Sequence, residues 1–158
     1  PTAKEVHLSL AKLLMSVDEI AHKDDIGYHL KLSFTPGDSN LDAQFWWARY
    51  QFLYGNRETA SGIFRDLSNS WMPAEYRNQI KGIVKMVGGK EQWFSGSIKK
   101  LENHYCYIGC PDLRCDVFAH GSDIREGDWQ KITLGTQVSF VLGFTFRGPR
   151  TRRITLIK

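Results

Sequence analysis

The 158-residue chain lacks several features that would assign it to a specialised class. It contains no apolar run long enough for a membrane span, and it does not open with a signal-peptide pattern. Its three cysteines, Cys106, Cys110 and Cys115, are odd in number and closely spaced, so we expect no disulfide framework and a reducing, cytoplasmic (intracellular) location. The chain begins at Pro1 rather than Met, which is consistent with a piece of a longer protein.

Signatures of catalysis are also missing. Gly88-Gly89-Lys90 has neither the preceding Gly nor the following Ser or Thr of a phosphate-binding loop. No Ser or Cys lies in a recognisable nucleophile context. We therefore expect a protein that is not an enzyme and that needs no cofactor.

Charge is unevenly distributed along the chain. Residues 1–91 contain 11 Lys and Arg against 11 Asp and Glu, whereas residues 92–158 contain 10 against 6 and so carry the whole net charge of +4. The stretch from Arg147 to Lys158 has five basic residues and no acid. Clustered positive charge attracts polyanions, although it also occurs as a solvated surface that only aids solubility.

The first half has helical periodicity. Thr2–Ala21 carries a stripe of apolar residues, and Leu41–Tyr54, Glu58–Leu67 and Ala74–Val87 are predicted as further helices. Thr2 and Asn40 are candidate N-caps, while His22–Phe34 is compatible with a helix or with an irregular connection. The stripe in the first helix comprises Val6, Leu10, Leu13, Leu14, Val17 and Ile20.

The segment from Leu41 to about Pro73 resembles one tetratricopeptide repeat hairpin. The resemblance rests on the aromatic first helix with Ala48, the turn at Gly55-Asn56, and Ala60 and Phe64 on the second helix. It implies a helical scaffold for protein contact or self-association. A well-filled helical hairpin with no such role has the same pattern, and one repeat cannot bury its apolar face alone.

The second half has the period of β-strands. Five short alternating segments, Phe94–Ile98, Tyr105–Ile108, Asp116–His120, Val138–Phe146 and Arg153–Ile157, fit within about 65 residues and predict a closed barrel, since closure removes exposed edges. We therefore predict an all-α part, residues 1–90, followed by a five-stranded all-β OB-type barrel, residues 92–158.

Strand parity separates the side chains of the second and third strands. Tyr105 and Tyr107 share one face, as do Phe118 and His120, whereas the small and aliphatic residues between them face the barrel interior. Exposed aromatic rings on neighbouring strands are costly unless something stacks on them, and nucleic-acid bases do so. The same parity places Cys106 inside and His120 outside, which argues against a zinc site built from His120 and the three cysteines.

Residues 94–158 resemble a cold-shock domain. Two motifs carry the resemblance: Asn103-His104-Tyr105-Cys106-Tyr107-Ile108, and Asp116-Val117-Phe118-Ala119-His120. Further matches are Gly96-Ser97-Ile98-Lys99 and Arg147-Gly148-Pro149. The resemblance implies binding of single-stranded RNA or DNA, with stacking on Tyr105, Tyr107, Phe118 and His120 and a basic contact at Lys99.

Two positions depart from the family pattern, and the first of them makes the expected face more basic and less aromatic. Lys100 stands where the family has Trp, and Asn103-His104 stand where it has Lys-Gly. We predict that Lys100, Arg147, Arg150 and Arg153 supply phosphate contacts, so that binding depends more strongly on salt. The main function predicted is therefore binding of single-stranded nucleic acid, RNA in particular. The alternative is a regulatory region of a larger protein in which the barrel face contacts protein.

Overall fold

The structure is a computed structural model that describes residues 2–157. The chain forms two compact units, and their boundary is crossed more than once. A helical unit contains residues 2–78, 86–90 and 146–148, and a barrel unit contains residues 79–85, 91–145 and 149–157.

The helical unit has five helices, and none within the described residues is long and apolar enough to cross a membrane. Thr2 forms a capping box with Glu5, and the Asn40 side chain accepts the Ala43 amide, so both predicted N-caps are confirmed. The segment left open in the sequence, His22–Phe34, contains a helix. The helices are α1 (Ala3–Asp18), α2 (Lys23–Leu32), α3 (Leu41–Tyr54), α4 (Arg57–Asn69) and the short α5 (Ala74–Asn78).

One cluster of the helical unit's core lies between α1, α2 and α3. Ala11, Ile26 and Leu30 are fully buried there, and the aromatic side chains of α3, including Trp46 and Trp47, pack against them. A buried ion pair joins the end of α1 to α3, because the Arg49 guanidinium donates to both carboxylate oxygens of Glu19 at 2.9 Å. The aromatic residues of α3 therefore serve packing in this unit.

The apolar stripe predicted for α1 is not the face that packs. Leu8, Ala11 and Met15 contact the core together with Leu14, the one stripe residue that is partly buried there. The other stripe residues remain between 38% and 67% exposed: Val6, Leu10, Leu13, Val17 and Ile20. Since α1 is apolar on two sides, the periodicity of the sequence cannot tell which side faces the core.

The helix predicted over Ala74–Val87 is wrong beyond Asn78. Residues 79–85 are extended and belong to the barrel unit, where Lys81 and Phe144 exchange backbone hydrogen bonds of 2.8 Å. Gly82 has a φ of +67°, which a helix does not allow. The β-branched residues Ile80 and Ile83 lie against Gly143, where an added Cβ would meet them at 2.6 and 2.7 Å.

The predicted barrel is confirmed as a closed sheet with strand order β1-β2-β3-β5-β4. Neighbours are antiparallel between β1 and β2, β1 and β4, and β2 and β3, whereas β3 and β5 run parallel. Each strand covers most of the segment predicted for it. The strands are β1 (Trp93–Leu101), β2 (Tyr105–Cys110), β3 (Cys115–His120), β4 (Gln137–Thr145) and β5 (Gly148–Leu156).

Alternation along the strands fills the barrel interior as parity predicted. Cys106 and Ile108 on β2 are fully buried, and so are Val117 and Ala119 on β3. The residues between them therefore face outward, and this outer side of β2 and β3 is where the candidate site lies.

Candidate nucleic-acid interface

Three aromatic rings lie together on the outer side of β2 and β3. The ring centroids of Tyr105 and Phe118 are 5.6 Å apart in a stacked arrangement, and Tyr107 meets both rings edge-on at 6.1 and 5.7 Å. All three rings are partly exposed. Tyr105 lies opposite His120 and Tyr107 opposite Phe118 in the strand register. We call these four residues the aromatic face.

A β-bulge in β1 brings two consecutive lysines to the same side. Ile98 pairs with Ile108, but Lys100 rather than Lys99 pairs with Tyr107, so Lys99 is the extra residue. The Lys100 ammonium is 6.0 Å from the centroid of the Tyr107 ring. The stem of Lys99 lies over Gly109, where any Cβ would come within 2.7 Å of it. Without the bulge, strand parity would turn Lys100 toward the interior.

The Asp123 carboxylate fixes the residues at the end of β3. It accepts the backbone amide of His120 at 2.9 Å, the hydroxyl of Thr151 at 3.0 Å and the guanidinium of Arg150 at 3.2 Å. The His120 ring contacts Ser122 through Nδ1 at 2.8 Å. Asp123 therefore positions both His120 and Arg150, a role that the sequence did not indicate.

The predicted arginines differ in their placement. Arg150 pairs with Phe118 in the register and holds its guanidinium 5.9 Å from that ring, so it borders the aromatic face. Arg153 forms an ion pair with Glu91, and Arg152 reaches the same carboxylate at 3.6 Å. Arg147 is exposed in the turn between β4 and β5, among the residues that group with the helical unit. Lys158, the last cation of the basic stretch, lies outside the described residues.

A cleft of about 470 Å³ adjoins the aromatic face at His120. Trp129 and His104 line the cleft beside His120. Trp129 covers Gly121, where an added Cβ would lie 3.3 Å from the indole, and its Nε1 donates to the Asn103 carbonyl at 3.2 Å. Sequence reasoning missed Trp129. The signal available was a large aromatic residue in the polar segment that follows Glu126-Gly127-Asp128.

Cys106 and His120 lie as parity predicted. Cys106 is fully buried inside the barrel, whereas the His120 side chain is exposed. Burial raises the pKa of the Cys106 thiol to about 11. Cys110 and Cys115 are register partners at the end of the β2–β3 hairpin, and Cys115 is the one that is partly exposed.

Comparison with known proteins gives one informative similarity. No family model matches the chain. A cold shock protein from Arthrobacter globiformis is 29% identical over 72 residues, which is 46% of this chain and the whole length of that protein. This similarity and the closed five-stranded barrel together fit a cold-shock-type OB fold for the C-terminal half.

Proposed function

We propose that the barrel unit binds single-stranded nucleic acid, RNA in particular, on the aromatic face. The observation that carries the proposal is the cluster of three partly exposed rings, Tyr105, Tyr107 and Phe118, whose centroids lie within 6.1 Å of one another. A stacked base contributes about 1–3 kcal/mol and requires only an accessible ring face. The similarity to a cold shock protein supports the same interpretation.

The surroundings of the rings suit a polyanion. The Lys100 ammonium is 6.0 Å from the Tyr107 ring centroid and the Arg150 guanidinium 5.9 Å from that of Phe118, which places positive charge next to the rings. Trp129 adds a further ring in the cleft next to His120. The proposed role is binding without catalysis, by stacking and phosphate contacts, and it needs no cofactor.

Fluorescence anisotropy with labelled eight-nucleotide oligo-U and oligo-dT strands tests the proposal. The variant Tyr107→Ala/Phe118→Ala removes two rings, which at about 1 kcal/mol each is a loss of about 30-fold in affinity or more. The matched control is Tyr28→Ala/Tyr76→Ala, which removes two tyrosines of the helical unit that are each 61% exposed. We expect the control to bind as the wild type does, and a circular dichroism melt checks that each variant is folded.

Two outcomes would contradict the proposal. One is equal affinity of the wild type and the Tyr107→Ala/Phe118→Ala variant. The other is that the wild type binds neither strand at low salt, which would favour the alternative of a face that contacts protein. A preference for oligo-U over oligo-dT supports the RNA assignment, because contacts to the 2′-hydroxyl distinguish the two backbones.

A second candidate function concerns the helical unit, which we propose contacts protein. The exposed apolar side chains of α1 favour it, since Leu13 and Val17 are 59% and 67% exposed. Sedimentation of the wild type and of Leu13→Ser/Val17→Ser tests self-association through this stripe. Association that the variant loses supports it, and a wild type that is monomeric at every concentration argues against self-association.

A further inference from the structure

The cations of the barrel unit fall into two groups. Arg150 is paired with Asp123, and Arg153 with Glu91. Within residues 2–157, by contrast, no carboxylate forms an ion pair with Lys99 or Arg114. A cation that is already paired gives up that interaction before it can bind a phosphate, so the unpaired cations are the stronger candidates for phosphate contacts.

Lys99 and Arg114 line one cleft of about 340 Å³ at the hairpin end of β2 and β3. The stem of Lys99 lies over Gly109, which has no side chain to displace it. Arg114 closes the loop through its amide, which donates to the Pro111 carbonyl at 3.1 Å. Asp116 lines the cleft as well. Two cations and one carboxylate give the lining a net charge of +1, which one phosphodiester neutralises.

The backbone at Arg114 is unusual and belongs to this cleft. Its φ of +54° is in the left-handed region, and it is the one non-glycine residue with positive φ within the described residues. Gly would adopt this conformation without strain, whereas arginine carries a Cβ that disfavours it. Residues with a strained backbone of this kind cluster at functional sites. The positive φ of Arg114 is therefore an independent observation in favour of a binding role.

The cleft continues the aromatic face along the same strand. Gly109 follows Tyr107 by two residues on β2, which is about 7 Å along a strand and on the same side. A nucleic-acid strand that stacks on Tyr105 and Tyr107 and continues in that direction therefore reaches the cleft next. Its charged backbone would meet Lys99 and Arg114 there.

We propose that Arg114, together with Lys99, binds a backbone phosphate of the strand that stacks on the aromatic face. The proposal rests on the proposed function and adds the direction in which the strand leaves the rings. It also assigns a phosphate contact to the β2–β3 loop.

The salt dependence of oligo-U affinity tests this assignment. For a single-stranded ligand, loss of the contact to one phosphate makes the slope of log Kd against log salt shallower by about 0.7, measured between about 50 and 200 mM salt. Arg114→Gly is the variant of choice, because Gly fits the positive φ and the loop keeps its conformation. Arg114→Lys keeps the charge, and Lys31→Gln, at an exposed lysine of the helical unit, is the matched control.

The expected result is a slope reduced by up to about 0.7 in Arg114→Gly and by about 0.7 in Lys99→Gln/Arg114→Gly, because the two cations neutralise one phosphate between them. The slope should be unchanged in Lys31→Gln. Arg114→Lys should recover most of the wild-type slope. If Arg114→Gly keeps the wild-type slope while Tyr107→Ala/Phe118→Ala loses binding, the phosphate assignment is wrong and the stacking function stands. If the wild type binds no oligonucleotide at low salt, both proposals fail.

Discussion

Replacement of Arg49 by Met should strongly destabilise the helical unit. The Arg49 side chain is 3% exposed and donates to both oxygens of Glu19, whose side chain is 15% exposed. Tyr54 donates to the same carboxylate at 2.6 Å. Without Arg49, the Glu19 carboxylate is left in a largely buried position with the Tyr54 hydroxyl and no cation.

The magnitude follows from this burial. Removal of one partner of a buried ion pair costs about 3–5 kcal/mol, because an uncompensated charge remains inside. Lys12→Met is the matched control, since Lys12 and Asp42 also form a short ion pair, of 2.7 Å, but are 44% and 41% exposed. An exposed pair of this kind contributes about 0–1 kcal/mol.

Urea unfolding followed by circular dichroism at the helical band measures both variants. Arg49→Met should lower the free energy of unfolding by about 3–5 kcal/mol and Lys12→Met by less than about 1 kcal/mol. The double variant Glu19→Met/Arg49→Met should cost less than the sum of its two single changes, because the orphaned charge is then absent. A decrease below about 1 kcal/mol for Arg49→Met, or strict additivity in the double variant, would show that the buried charge is not the cause.

Four further predictions concern glycine and cysteine positions. Gly96→Ala should destabilise the barrel by about 1–3 kcal/mol in chemical denaturation, because the added Cβ would lie 2.5 Å from the Gly109 carbonyl oxygen. An unchanged midpoint of the denaturation curve would contradict the packing described. Gly62→Ala should stabilise the helical unit by about 0.5–1 kcal/mol, since nothing lies within 4 Å of the added Cβ and Ala has the higher helix propensity. A lower melting temperature of the variant would count against this. Because burial raises the pKa of Cys106 from 9.0 to about 11, the unfolded thiol ionises first and the barrel should lose stability as the pH rises through this window. Iodoacetamide and mass spectrometry at pH 8 should label Cys115 before Cys106, and the reverse order would contradict the burial of Cys106.

The sequence predicted the barrel well because strands there have one buried side. The period of two separated Cys106 and Ile108 from Tyr105 and Tyr107, and the structure buries the first pair and exposes part of the second. This alternation of buried and exposed side chains holds wherever the hydrogen bonding between neighbouring strands is regular. It does not show the bulge at Lys99, which depends on how β1 registers with β2 and not on any local pattern.

Local periodicity was least informative where tertiary pairing decides the conformation. Ile80, Ile83 and Val84 are spaced as in a helix, yet the backbone of Val84 donates to Leu142 on β4. Nothing in the sequence of this segment indicates that backbone carbonyls of β4 accept hydrogen bonds from its amides. Ion pairing has the same limit, because a run of arginines near the C-terminus does not show that Glu91 lies within reach of two of them.

Amide chemical shifts in an NMR titration with oligo-U would locate the binding surface residue by residue. We expect the largest changes on β2 and β3 at Tyr105, Tyr107 and Phe118, with further changes at Trp129 and at Arg114, and saturation with a single affinity. Small or no changes are expected over α1 to α4. Largest changes in α1 to α4, or no changes in the barrel at low salt and excess oligonucleotide, would contradict binding of nucleic acid on the aromatic face.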